Sequence, residues 1–220
     1  MSLSIPAENK RSLISFDINS DDTILCAGTE QQHSEAYLLF FDIRQKSLLG
    51  GYNESHDDDI TQIRFHPKDR NVVASGSTDG LINVFDIQHS SEEDALQYCF
   101  NTESSVQNIN WHRSNDKDVL SCITHTNDFH LYDVAESELI HAFERATITE
   151  AIQRKSVSDC YLINCHSGTD EELVLLAGSN SQRGECLRSV NVCGSELRPS
   201  TDFEGNKQIV RCSVFDEKVS

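Results

Sequence analysis

Cysteine and histidine side chains are the groups in this sequence that could bind a metal ion, since thiolates and imidazoles are common zinc ligands. The chain has eight cysteines but no Cys-x-x-Cys pair, and the densest group is Cys160, Cys165 and His166. Alternation along a strand would turn Cys165 and His166 to opposite faces, which opposes a shared ion. Asp128 and His130 would share one face, yet no third ligand accompanies them. We therefore predict buried, reduced thiols and no metal or cofactor.

The chain lacks the sequence patterns that activate a nucleophile or hold a phosphate group. It has no Gly-x-Ser-x-Gly segment, and its glycine-rich stretch 76–80 precedes a strand-like apolar run rather than a helix. That stretch therefore predicts a turn. The 36 acidic residues could supply a general acid and a general base, but nothing in the sequence selects a pair. We predict no catalytic residue.

An aromatic residue followed by aspartate ends three apolar runs, at Phe41-Asp42, Phe85-Asp86 and Tyr132-Asp133. The three aspartates are 44 and 47 residues apart. This period is typical of propeller blades, in which four short strands form one sheet. Because a single blade cannot bury both of its faces, neighbouring blades must stack around an axis.

Short β-rich runs bounded by Gly, Asn, Asp and Ser recur along the chain and predict an all-β fold without a long helix. We predict one domain over residues 1–220, with about four four-stranded blades at 13–56, 57–105, 106–144 and 160–205. A further apolar run at 208–215 predicts one extra strand. Residues 145–159 lack alternation and predict an exposed loop.

The segment from residue 56 to residue 86 resembles a repeat of the WD-repeat family. It begins His-Asp-Asp-Asp-Ile, continues through Val-Val-Ala-Ser-Gly-Ser-Thr-Asp-Gly and ends Val-Phe-Asp. The resemblance implies a β-propeller in which a histidine, a hydroxyl residue and an aspartate bond to an aromatic residue of the third strand. In this chain these would be His56, Ser75, Asp79 and Phe85. The family usually has tryptophan at the position of Phe85, and phenylalanine has no N–H group to donate.

The resemblance is strong from about residue 14 to residue 133 and implies seven blades, whereas the chain provides four. We therefore predict an open or incomplete ring. Its two end faces would expose apolar sheet surface, so these open blade faces would need a partner or self-association.

The charge of the chain indicates the class of partner. With 36 acidic and 18 basic residues, the net charge is −18, and no cluster of Lys and Arg is present to bind nucleic acid. No apolar run is long enough for a membrane span, so we predict no membrane binding. The beginning of the sequence lacks a secretory signal, which predicts a cytoplasmic or nuclear location. An acidic surface attracts a basic partner.

An acidic segment precedes the first strand of the second blade, and one glutamate has the comparable place before the third blade. We predict that these residues form a partner-binding rim: Asp57, Asp58, Asp59 and Glu103. The alternative is that they are solvated loop residues that aid solubility.

These observations favour a non-catalytic WD-repeat scaffold that mediates protein–protein interaction, with a basic protein as partner. The alternative is an enzyme built on a propeller scaffold, with carboxylates near the central channel. Clustered carboxylates that face the channel and have shifted pKa values would favour the enzyme, whereas scattered Ser, Asn and apolar residues there would favour the scaffold.

Overall fold

The computed structural model describes residues 11–168, 172–179 and 186–215, and strands are the main secondary structure in these ranges. The strands form four four-stranded sheets, and each sheet is built from four consecutive strands of the chain. The predicted all-β fold with four blades is thereby confirmed. No helix in the described ranges has both the length and the apolar character needed to cross a bilayer.

Sheets 1 and 2 are antiparallel, and in both the strand order follows the chain. Sheet 1 contains β1 (Leu13–Ile18), β2 (Ile24–Thr29), β3 (Leu38–Asp42) and β4 (Ser47–Tyr52). Sheet 2 contains β5 (Gln62–Phe65), β6 (Val72–Gly76), β7 (Leu81–Asp86) and β8 (Leu96–Asn101). A single helical turn, α1 (Glu92–Ala95), precedes β8 and is capped by the Ser91 hydroxyl, which accepts the Asp94 N–H.

Sheets 3 and 4 repeat the same order. Sheet 3 contains β9 (Val106–Ser114), β10 (Lys117–Thr124), β11 (Phe129–Asp133) and β12 (Glu138–Phe143). Sheet 4 contains β13 (Cys160–Ser167), β14 (Leu173–Ser179), β15 (Leu187–Cys193) and β16 (Glu196–Asp202).

The repeated aromatic residue and aspartate have a structural basis at the end of the third strand of sheets 1 to 3. Phe41, Phe85 and Tyr132 are buried there. Directly before each aromatic residue, the pairing with the fourth strand shifts by one residue, which is a β-bulge. The aspartate that follows closes the next turn, as when Asp86 Oδ1 accepts the Gln88 N–H at 3.0 Å. The buried aromatic residue therefore fixes the end of the third strand in the core, and the aspartate begins the turn that follows.

The chain divides into two compact units, of which one ends at Trp111 and the other begins at His112. Each unit has an apolar cluster of its own. The first cluster includes Ile63 and Phe85, and the second includes Phe129 and Leu162. The single domain over 1–220 and the arrangement of blades in a ring stay predictions.

Residues 145–159 are not the exposed loop that the sequence predicts. They contain α2 (Arg145–Ala151) and a short 3-10 helix (Val157–Asp159). Ile148 and Ile152 lie about one helical turn apart, and both are fully buried in the apolar cluster of the second unit. This packing stabilises a helix that is too short to show a clear period in the sequence.

The segment 208–215, which the sequence predicts as an extra strand, forms no strand. It lies beside β13 through Ser213. Asn164 Nδ2 donates to the Ser213 carbonyl at 3.4 Å, and His166 Nε2 lies 2.7 Å from the Ser213 hydroxyl. A strand requires a neighbouring backbone to hydrogen bond with, and none of the four sheets extends to this segment.

We expect Phe85→Ala to lower the free energy of unfolding by about 3–5 kcal/mol, because the substitution empties a fully buried aromatic site. Urea denaturation followed by circular dichroism measures the loss. Leu49→Ala removes an exposed side chain of β4 and is the matched control, with an expected change within about 0.5 kcal/mol. Equal losses for the two variants would show that Phe85 is not a core residue.

Candidate functional site

A buried histidine organises the polar side chains of sheet 2. His56 precedes β5; its Nδ1 lies 2.9 Å from Asp79 Oδ2, and its Nε2 lies 2.7 Å from Ser75 Oγ. Because a carboxylate only accepts, we assign the proton to Nδ1, and Nε2 then accepts from the Ser75 hydroxyl. The structure thus brings three of the four residues that the repeat pattern singles out into one hydrogen-bonded chain.

Asp79 is fixed in the turn between β6 and β7. Its Oδ1 accepts the Leu81 N–H at 2.7 Å, and its Oδ2 accepts the Asp57 N–H at 3.1 Å. Gly80 has a φ of +88°, a conformation that glycine adopts at little cost. Burial acts to raise the pKa of the Asp79 carboxyl, but the hydrogen bond from His56, with those from the two backbone N–H groups, holds it below its ordinary value.

Phe85 takes no part in this polar chain, and its ring packs 5.4 Å from the ring of Tyr52. Asn83, on the same face of β7, approaches the histidine instead. Its Nδ2 donates to the Ser55 carbonyl at 2.8 Å and lies 3.4 Å from His56 Nε2. Its Oδ1 is buried without a hydrogen-bond partner among the described residues. The repeat pattern does not single out Asn83, although a polar residue within the apolar strand β7 is a signal that the sequence contains.

Ser75, His56 and Asp79 have the connectivity of a hydrolase triad, in which a hydroxyl, an imidazole and a carboxylate are joined in series. Ser75 is fully buried in β6, however, and His56 is buried beside it. A nucleophile must reach its substrate, and this hydroxyl has no access to solvent. The three residues therefore act as a structural tie between β6, the 77–80 turn and the segment before β5.

Four acidic residues lie in two segments that flank the 77–80 turn, and we call them the acidic rim: Asp57, Asp58, Asp59 and Glu103. Backbone hydrogen bonds hold both segments against this turn. The Asp59 carbonyl accepts the Thr78 N–H at 3.0 Å, and the Thr102 N–H donates to the Gly80 carbonyl at 2.9 Å. The structure therefore places the two predicted segments at the same end of the strands of sheet 2, beside the 77–80 turn.

The carboxylates of the acidic rim differ in exposure and in role. Asp57 and Glu103 are exposed, whereas Asp58 and Asp59 are half-buried. Asp59 Oδ1 accepts the Gln31 N–H at 2.8 Å, and Asp58 Oδ1 accepts the Asp59 N–H at 2.8 Å. Asp58 and Asp59 therefore stabilise the local backbone, while Asp57 and Glu103 present their charges to solvent.

A second buried histidine, His112, lies at the start of the other unit, and no sequence pattern predicts its role. His112 Nε2 lies 2.8 Å from Ser121 Oγ, and its Nδ1 lies 2.9 Å from Ser167 Oγ. Burial, with a smaller effect of the charge of His166, lowers the pKa of His112 to about 4. The folded unit therefore holds this imidazole in its neutral form at neutral pH.

The cysteines are free thiols throughout. Cys160 and Cys165 are buried in β13, and burial raises the pKa of both thiols, which opposes their use as thiolate ligands. Within the ranges that the structure describes, no group of three or more His, Cys, Asp or Glu side chains could hold a metal ion.

We expect acidic pH to lower the free energy of unfolding of the unit that begins at His112, because unfolding lets the His112 imidazole bind a proton. Between its ordinary pKa of 6.5 and its folded pKa of about 4, the unfolded state binds more protons. The stability that depends on neutral His112 is therefore complete above about pH 6.5 and decreases by about 3 kcal/mol as the pH falls to 4. His112→Gln removes this component, so the difference in unfolding free energy between wild type and variant should shrink from pH 7 to pH 4.

Urea denaturation at several pH values between 7 and 4 measures this difference. His89→Gln replaces an exposed histidine and is the control, for which the difference from wild type should stay constant. A constant difference for His112→Gln as well would contradict the assignment of a buried neutral imidazole.

The chain is similar in sequence to parts of known proteins. No protein-family model matches the chain. It is similar to an uncharacterized WD repeat-containing protein of Saccharomyces cerevisiae, with 39% identity over 97 residues, 44% of the chain and 25% of the relative. It is also similar to the WD repeat-containing protein 89 homolog of Dictyostelium discoideum, with 27% identity over 173 residues. That match covers 78% of the chain and 46% of the relative, so the chain spans less than half the length of either protein.

A solved structure extends the comparison to the fold. The crystal structure of the RRP9 WD40 repeats superposes with a TM-score of 0.63 at 14% identity, covering 87% of the chain and 51% of that structure. Identity at this level supports a shared fold and nothing further. The chain therefore has the fold of WD40 repeats, and its sequence is similar to those of WD repeat-containing proteins, among them a protein 89 homolog.

Proposed function

We propose that the chain is a non-catalytic scaffold whose acidic rim binds a basic segment of a protein partner. The observation that carries the proposal is that Asp57 and Glu103, both exposed, belong to segments bonded to the single turn at 77–80. The net charge of −18 adds a long-range attraction for a basic partner.

The rigidity of the acidic rim supports this proposal. The N–H of Asp57 donates to Asp79, which is itself bonded to the buried His56. Gln31 binds the same segment twice, through its Nε2 to the Asp57 carbonyl at 2.5 Å and through its N–H to the Asp59 carboxylate at 2.8 Å. Charges that are already held in place lose little conformational entropy when a partner binds.

The titration of the carboxyls favours the scaffold over the enzyme. Hydrogen bonds lower the pKa of three carboxyls besides Asp79, from Thr23 to Asp21, from Lys117 to Asp133 and from Ser179 to Asp159. A general acid at neutral pH needs a raised pKa, so these carboxyls are suited to ion pairs rather than to proton donation. A cytoplasmic or nuclear location, without nucleic-acid or membrane binding, is proposed from composition.

We expect an octalysine peptide to bind the acidic rim and to bind more weakly as salt rises, because exposed charges are screened over about 8 Å at physiological ionic strength. Changing Asp57, Asp58 and Asp59 together to Asn should reduce the affinity about five- to tenfold, mainly through slower association. Asparagine keeps the acceptor oxygens that Asp58 and Asp59 use, so the backbone is preserved. Stopped-flow fluorescence at two salt concentrations measures the rates.

The control variant removes three exposed charges elsewhere, by combining Asp116→Asn, Glu136→Gln and Glu138→Gln. The two variants have the same net charge, so a specific site requires a larger loss in the rim variant. Equal losses of affinity in the two variants would show that the acidic rim is not a specific site and contributes only to solubility.

A further inference from the structure

A cleft lies between sheets 3 and 4 in the unit that begins at His112. Its volume is about 150 Å³, and it opens to solvent. Its lining is mainly apolar, and both sheets contribute side chains to it: Val119, Leu131, Ile140, His141, Leu173 and Val192. Because consecutive sheets of one unit form both walls, the cleft is a feature of their packing rather than of a loop.

The strand register of sheet 3 explains how its side chains reach the cleft. Leu131 pairs with His141, so their side chains lie on the same face of sheet 3, toward the cleft that both residues line. Ile140 is the extra residue of the β-bulge in β12, and it is 41% exposed. A bulge bends its strand and re-aims a side chain. Ile140 therefore lines the cleft beside His141 and stays accessible to a partner.

A smaller side chain in sheet 3 leaves room at a position that sheet 1 fills. Directly before the aromatic residue at the end of the third strand, sheet 3 has Leu131 where sheet 1 has Phe40. Phe40 is buried in the apolar cluster of the first unit, which also contains Phe65 and Val73 of sheet 2. Leucine occupies less volume than phenylalanine, so the contact between sheets 3 and 4 can accept a further apolar group here.

Carboxylates border the cleft where β11 ends. Val119 pairs with Asp133, and Asp133 pairs with Glu138, so the three side chains form a row on the face that Val119 turns to the cleft. Lys117 Nζ lies 2.8 Å from Asp133 Oδ2 and 3.6 Å from Glu136 Oε1. Three carboxylates therefore lie near one ammonium group, and Glu136 and Glu138 are exposed. This border of the cleft has a net negative charge.

The volume and lining of the cleft define the group that it can hold. An apolar cavity of about 150 Å³ is large enough for a benzene ring. The cleft has this volume, and apolar side chains face it from both sheets, with Leu131 on one wall and Leu173 and Val192 on the other. One phenylalanine side chain therefore fits, whereas the face of a whole helix or strand does not.

We propose that the cleft binds one phenylalanine side chain of a basic segment in a protein partner, with lysine or arginine residues beside the phenylalanine at Glu136 and Glu138. Burial of the phenyl ring supplies affinity, because it removes apolar surface from water. The carboxylates supply specificity, since a segment with acidic neighbours would place like charges together. This surface is additional to the acidic rim, which lies in the unit that ends at Trp111.

Titration of the ¹⁵N-labelled full chain, followed by NMR, tests the proposal with two synthetic peptides, Lys-Lys-Phe-Lys-Lys and Lys-Lys-Ser-Lys-Lys. The phenylalanine peptide should shift the backbone amide signals of Leu131, His141 and Val192. The serine peptide has the same charge but no ring to bury, so its affinity for the cleft should be about tenfold lower. Octalysine also lacks an apolar side chain and should behave at the cleft as the serine peptide does.

Two variants close the cleft in different ways. Leu131→Phe fills it with the side chain that sheet 1 has at this position, and it should lower the affinity for the phenylalanine peptide about tenfold without lowering the urea midpoint of unfolding. Ile140→Lys changes an exposed side chain and sets a positive charge beside the lysines of the peptide, so it tests the cleft if Leu131→Phe unfolds. Leu49→Lys is the matched control, because Leu49 has the same bulge position in β4 and is 56% exposed.

The proposal is overturned if the phenylalanine peptide leaves the three amide signals unchanged, or if the serine peptide binds the cleft with equal affinity. It is also overturned if Ile140→Lys weakens binding no more than Leu49→Lys does, or if Glu-Glu-Phe-Glu-Glu binds as tightly as the lysine peptide. Octalysine separates the two surfaces in the same titration. Failure of octalysine to bind at Asp57, with the phenylalanine peptide bound at the cleft, would contradict only the function proposed for the acidic rim.

Discussion

The seating of an apolar side chain on a glycine of the preceding sheet is the contact that joins consecutive repeats in the unit that ends at Trp111. Ile60 on Gly28 and Val106 on Gly76 are each held by a backbone N–H, a backbone carbonyl and a tight side-chain fit. Because this contact occurs at the end of β2 and again at the end of β6, it fixes consecutive repeats of the unit that ends at Trp111 against each other while the connections vary in length. Its demand for glycine is steric, since any Cβ atom there would collide with the seated residue.

The polar chain of His56 works within a single sheet and complements this packing between sheets. In sheet 2 the third strand is anchored by aromatic packing, with Phe85 near Tyr52 and Tyr52 near Phe40, instead of by an indole hydrogen bond. Asn83 supplies a polar contact to the imidazole, so the loss of an indole donor leaves the histidine with other partners. The ionised Asp79 also accepts hydrogen bonds from the backbone N–H groups of Leu81 and Asp57. The same hydrogen-bonded chain therefore fixes the 77–80 turn and the adjacent segment of the acidic rim.

Local patterns predicted the four sheets, because alternation and the aromatic-aspartate pair are encoded within each strand and its turn. Local patterns did not predict the segments whose conformation depends on residues far away in the sequence. The apolar run at 208–215 has strand character, but a strand exists only beside another backbone. The helix α2 forms because the core buries Ile148 and also Ile152, which directly follows the helix, and its seven residues are too few to show a clear hydrophobic period in the sequence. The roles of Asn83 and His112 likewise follow from groups that tertiary structure brings near.

Salt tests whether the acidic rim binds through charge, because screening weakens the attraction between exposed charges and leaves apolar packing intact. The net charge of −18 attracts a basic segment over a long range, and added salt screens that attraction. Binding of a basic segment to the acidic rim should therefore weaken as salt rises from low to physiological concentration. An affinity that stayed constant over this range would show that apolar contacts, rather than the carboxylates, hold the peptide.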